Sequence, residues 1–198
     1  MLTLAAAFLP FAFAAGFTPG PNNLLLAASG ANFGIRRTIP HVLGIVSGFP
    51  LLVLAVGLGL GTVFQRHPEV HTTLKFVGGA FLVYLAWRIA TAGHRTTGVA
   101  RGRPMTFVEA VLFQWVNPKA WIFAVTAVAT YTTVGGRAAA EIAVILAISL
   151  LVTIGSTVTW TGFGFWLSRF LQESPRMLRV FNVGMALLLV LSIVPVMT

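Results

Sequence analysis

Two stretches of this chain set prolines beside uncharged amides inside long apolar runs: Thr18-Pro19-Gly20-Pro21-Asn22-Asn23 and Gln114-Trp115-Val116-Asn117-Pro118-Lys119. Proline has no amide proton and its ring clashes with the preceding turn, so each stretch frees backbone carbonyl and amide groups. Lipid cannot satisfy such groups, and in a membrane they persist only around a polar cavity. The chemistry on offer is recognition. Asn22, Asn23, Gln114 and Asn117 donate and accept hydrogen bonds, Gly20 tolerates unusual dihedrals, and the amides beyond Pro21 begin a half-helix whose partial positive end suits a carboxylate. A plain kink capped by Asn22 is the competing reading.

Lys119 adds a cation. Counted from Phe107 it lies about 18 Å into its apolar run, too deep for easy snorkelling, and an ionisable group at that depth marks a functional site. Pairing with a substrate carboxylate, release of a proton and hydrogen bonding to carbonyls freed by Pro118 all remain open. Asn182 is a further deep amide that contacts substrate or bonds a neighbouring helix. The expected substrate-binding set is therefore Pro19, Gly20, Pro21, Asn22, Asn23, Gln114, Asn117, Pro118, Lys119 and Asn182. Trp115, beside the second break, is expected to wall the pocket.

Other polar residues carry weaker signals. His67 and His71 flank Glu69 at a metal-like spacing, yet His67-Pro68-Glu69 reads better as a helix start. His41 reads as an interfacial residue at a span entrance. A metal exporter needs several deep carboxylates, imidazoles or thiolates, and an intramembrane enzyme needs a nucleophile with a base; the sequence has no Asp and no Cys. No metal, cofactor or catalytic residue is expected.

These residues must be held by membrane helices. The chain is 57% hydrophobic and only 9% charged, with a mean hydropathy of +0.91, which leaves too little polar surface for a soluble globule. A span takes about 20 apolar residues, and six are expected: Leu2 to Ala28, Ile39 to Val63, Leu74 to Ile89, Phe107 to Tyr131, Ala143 to Leu167, and Val180 to Val196. The predicted fold is an all-α membrane protein, one transporter domain over 1–198, with spans one and four broken. Repeat one covers about 1–91 and repeat two about 106–198, joined by a basic loop at 92–105. Three spans per half make the second half enter from the opposite side, as inverted repeats do.

Charge gives the orientation. Arg36, Arg37, Arg88, Arg95, Arg101, Arg103, Arg169, Arg176 and Arg179 fall on one side of this arrangement, against Arg66, Lys75 and Arg137 on the other. Basic loops stay cytoplasmic, so the 92–105 loop is expected inside and both termini outside. The net charge of +9 forms no aromatic-interleaved stripe, which argues against nucleic acid. Met1 to Gly16 lacks the basic start of a secretory signal and reads as part of span one. Glycines at 30 and 34, at 44 and 48, and at 57, 59 and 61 are expected to let helices pack closely, and small-residue faces would also permit a homodimer.

Taken together, Pro19-Gly20-Pro21, then Gly30, Gly34, Gly44, Gly48 and Gly57-Leu58, then Gly78-Gly79-Ala80 with Tyr84-Leu85, and finally Asn117-Pro118-Lys119-Ala120 carry a resemblance. Nearly end to end, the chain resembles the lysine-exporter (LysE/RhtB) family of bacterial amino-acid efflux proteins. Thr18 to Leu24, Leu85 to Thr91 and Ala186 to Val190 look like its cysteine and O-acetylserine branch, whereas Asn117-Pro118-Lys119 keeps the general family form. The resemblance implies export of small amino acids or their derivatives across the bacterial inner membrane, driven by the proton gradient through alternating access. Homoserine/threonine, leucine or lysine export is the alternative within the family.

Overall fold

A computed structural model describes residues 1–61, 66–92, 102–133, 137–171 and 173–194. Among them the chain is helical, without strands. In order come α1 (Leu2–Phe17), α2 (Pro21–Ala55) running into a π-helical segment (Val56–Leu60), α3 (Pro68–Ala90), α4 (Phe107–Val116), α5 (Pro118–Tyr131), α6 (Ala138–Leu171) and α7 (Pro175–Leu191). Prolines set four of the starts. Pro21, Pro68, Pro118 and Pro175 sit in first turns, where a missing N–H removes no intrahelical bond.

Among the described residues, three segments are long and apolar enough to cross a bilayer: Pro21–Leu60, Thr72–Ala90 and Ala138–Leu171. Leu2–Phe17 and Phe107–Val116 are shorter apolar helices, and these are the two that stop at the breaks. The outer surface is greasy, with Leu51, Phe76, Trp87, Leu112, Ile122, Leu151 and Trp166 all exposed. Apolar exposure on that scale fits contact with lipid.

Two helical segments meet within α2 at a kink at Gly34, whose φ of 78° and ψ of 170° leave the helical region. Ser29 and Thr38 lie nine residues apart, about 13.5 Å along a straight helix, yet their hydroxyls meet at 2.9 Å. Thr38 Oγ1 also donates to the Gly34 carbonyl at 2.8 Å. Only glycine adopts that dihedral cheaply, and a methyl added at Gly34 would touch nothing. Its role is the turn, not the packing expected for it. The expected loop between Ala28 and Ile39 thus shrinks to one residue, and Arg36 and Arg37 become helical. Elsewhere α3 and α6 run beyond their apolar stretches, while α7 begins earlier and ends earlier than expected, because apolar patterning does not mark where polar end residues leave the helix. Arg95 and Arg101, used in the charge reading, lie outside the described residues.

The core forms two clusters. One joins Leu24–Ala28 and Ile45 of α2 to Leu82 and Leu85 of α3, Phe113 of α4 and Leu189 of α7. The other joins Phe8 and Ala12 of α1, Leu52 and Val53 of α2, Phe123 and Ala124 of α5, and Ile145 and Val152 of α6. Helix α6 lies along α2, where a methyl on Gly30 would collide with the Thr161 carbonyl and one on Gly164 with that of Ala27. Such backbone contact supplies the dispersion packing that holds helices together in lipid. Between the clusters runs a polar band, and both breaks open into it.

Candidate functional site

At the first break α1 ends with Thr18 in extended conformation (φ −60°, ψ 137°). Helical geometry would pair the Phe17 carbonyl with the amide of residue 21, but Pro21 has none. Side chains from elsewhere take over. Asn23 Nδ2 donates to the carbonyls of Gly16 (2.8 Å) and Thr18 (3.0 Å), Ser156 Oγ to Gly16 (2.8 Å) and Trp160 Nε1 to Phe17 (3.3 Å). Lys119 Nζ donates to the Thr18 carbonyl at 2.8 Å, across a separation of 101 residues.

The second break is a single extended residue. Asn117 (φ −83°, ψ 108°) closes α4 and caps α5, its Oδ1 accepting from the Lys119 amide at 3.2 Å, and its carbonyl accepts from the Ala120 and Trp121 amides. Trp121 Nε1 donates to the Trp115 carbonyl at 2.8 Å. A reciprocal amide pair ties the breaks together. Asn22 Nδ2 donates to Gln114 Oε1 at 2.8 Å, and Gln114 Nε2 donates back to Asn22 Oδ1 at 3.2 Å. Gln114 is fully buried and also bonds the Ala110 carbonyl.

Gly20 decides where the lysine lies. A Cβ there would stand 2.8 Å from Lys119 Cδ and 2.9 Å from its Nζ. Its own φ of −173° is ordinary extended backbone, so the glycine is required by the lysine's path and not by strain. Around these groups is a cavity of about 70 Å³ lined by Gly20, Asn22, Asn23, Asn117 and Lys119, by Phe49 and Phe123, and on the far wall by Ser149, Thr153, Ser156 and Thr157 of α6. Ser149 Oγ is buried there without a hydrogen-bond partner among the described residues, and no ion pair engages Lys119 among them. An ammonium with spare donors beside amides and hydroxyls is equipped to hold a small zwitterion and poorly equipped for bond-breaking.

Pro19, Gly20, Pro21, Asn22, Asn23, Gln114, Asn117, Pro118 and Lys119 therefore come together. Asn182 does not. Fully buried, it forms a reciprocal pair with Asn32 at 2.7 and 2.9 Å and donates to the Ala92 carbonyl at 3.0 Å, which is the helix-bonding reading left open for it. Asn22 is no cap, since Gly20 holds that position. Lys119 bonds a carbonyl freed by the opposite break, not by Pro118. Trp115 does not line the cavity; its ring meets Trp121 edge-on at 6.3 Å. His41 is buried to 1% exposure and not interfacial, because the turn at Gly34 carries it six residues, about 9 Å, into the helix. His67-Pro68-Glu69 begins α3, and the side chain of His71 lies outside the described residues. Sequence reading missed the α6 wall. Its signal was there in Ser149, Thr153, Ser156 and Thr157, spaced to share one face of an apolar helix.

A family model described as "LysE type translocator" matches residues 13–195. The chain belongs to that family. It is accordingly an integral membrane transporter and not an enzyme. The cysteine/O-acetylserine efflux proteins of Escherichia coli K12 and of Shigella sonnei Ss046 are each 29% identical to this translocator over 189 residues, 95% of this chain and 94% of theirs. No solved structure matches it.

Proposed function

We propose that this translocator exports small amino acids or their derivatives across the bacterial inner membrane, with cysteine and O-acetylserine as first candidates. The observation that carries the reading is the Lys119 ammonium lying across both helix breaks, bonded to the Thr18 carbonyl and flanked by Asn22, Asn23 and Ser149. A substrate carboxylate takes the free donors of Lys119, and its ammonium takes the amide and hydroxyl oxygens opposite. Relatives named for cysteine/O-acetylserine efflux support that substrate class.

On this reading α1 with the first segment of α2 forms span one, α4 with α5 forms span four, and the halves at about 1–91 and 106–198 are inverted three-span repeats. One half rocks against the other, exposing the site alternately to each side, and the proton gradient drives the cycle. The basic 92–105 loop is cytoplasmic, both termini are outside, and two copies pair through small-residue faces. Proteoliposomes loaded with labelled amino acids test the core of this. Wild-type protein should carry the label while Lys119→Ala does not, and equal rates for the two would sink the site. Uphill export should collapse when the proton gradient is dissipated; export that persists would remove the coupling.

A further inference from the structure

A second and larger cavity, about 740 Å³, lies on the Arg-rich side of the polar band, lined among others by Ser29, His41, Tyr84, Arg88 and Arg103. Its volume falls within the range of small-molecule sites, roughly 300–1,000 Å³. Two of its lining groups are under-used. His41 is fully buried with neither ring nitrogen hydrogen-bonded among the described residues, an expensive state for a polar side chain.

Arg88 is the second. Glu109 is the acid nearest it, but Arg103 holds that carboxylate at 2.6 Å on both oxygens and the Thr106 amide adds 2.7 Å. Arg88 stands off at 3.9 Å. It donates to the Arg103 carbonyl at 2.7 Å and lies 5.7 Å from the Tyr84 ring centre, with its side chain 17% exposed. Two guanidiniums thus share one carboxylate, and Arg88, largely buried, holds the longer of the two ion pairs and so has only a partial claim on an anion.

We propose that this chamber is a second binding station for the transported amino acid, with the solute's carboxylate on Arg88 and its polar side chain on His41. The station rests on the export reading above. It lies seven residues along α2 from Asn22 at Ser29, about 10 Å from the Lys119 site, on the side where Arg88 and Arg103 line the wall. An exporter loads from the basic, cytoplasmic side, so solute reaches this station first.

The test is transport kinetics of the purified full-length chain in proteoliposomes, with labelled O-acetylserine and cysteine presented on the loading side. Arg88→Gln and His41→Leu should each raise KM about ten-fold with turnover at saturation within about two-fold, the pattern of lost uniform binding, and Arg88→Lys should recover most of the affinity. Wild-type KM in both variants, or reduced turnover at unchanged KM, overturns the station and leaves the export reading standing. Wild-type protein that carries neither solute overturns both.

Discussion

The two helix breaks differ in who completes them. At Gly16–Thr18 the freed carbonyls are satisfied by Asn23, Ser156, Trp160 and Lys119, three of which come from other helices. At Asn117 the repair is local: its own side chain caps α5, its own carbonyl receives two amides, and Trp121 reaches back to Trp115. A break completed by distant groups opens or closes when helices shift, whereas one completed within its own segment moves as a rigid unit. In the transport cycle proposed above, the first break would thus be the adaptable side of the site and the second its fixed side, with Lys119 reaching from fixed to adaptable.

Removing the lysine should break this contrast most severely. In Lys119→Ala the Thr18 carbonyl loses its charge-assisted bond and the cavity loses its cation, so export should fall at least about 100-fold; losing one hydrogen bond to a charged group alone accounts for about 1.5–3 kcal/mol. Flux measured against protein incorporated into liposomes is the check. Gly20→Ala comes next. Extended backbone accepts alanine without strain, so its whole effect must pass through Lys119, whose side chain has to leave its present path. A fall of about ten-fold in export, roughly 1.4 kcal/mol, with unchanged thermal stability in detergent, would show the lysine's placement at work. Unchanged export would show that the lysine acts equally well from another position.

How much of this was legible beforehand follows the same division. Breaks, prolines and the deep lysine could be read because proline and charge are costly in lipid wherever they occur. Gly34 could not be assigned as a turn, because a glycine four residues after Gly30 looks the same whether it packs or bends. The burial of His41 followed from that hidden turn. Lys119's partner was illegible for a different reason: a freed carbonyl carries no side-chain signature, and which one a lysine reaches is settled by helix packing. Asn182 was read by depth alone, and depth does not say whether an amide faces a cavity or, as here, bonds a neighbouring helix.

The amide pair between the breaks gives a sharper and smaller test. Asn22→Leu should destabilise the protein by about 1–3 kcal/mol, since it strands the buried Gln114 amide, and Gln114→Leu by less, since Asn22 is only partly buried. The double variant removes both and should be less destabilised than the sum of the singles by about 1 kcal/mol. Strict additivity in thermal or denaturant unfolding would mean the pair does not join the breaks.

The smallest effect belongs to the self-contained break. Asn117→Ala removes the cap on α5, at a cost of about 1 kcal/mol, but leaves the Lys119–Thr18 and Asn22–Gln114 bonds in place. Asn117→Ser keeps a capping oxygen and should recover most of that loss. Because the damage stays within one segment, melting temperature should drop in the alanine variant while export holds within about three-fold, under 0.7 kcal/mol on the same scale. Export as low as that of Lys119→Ala would place the Asn117 side chain on the substrate itself and erase the distinction between a fixed and an adaptable side.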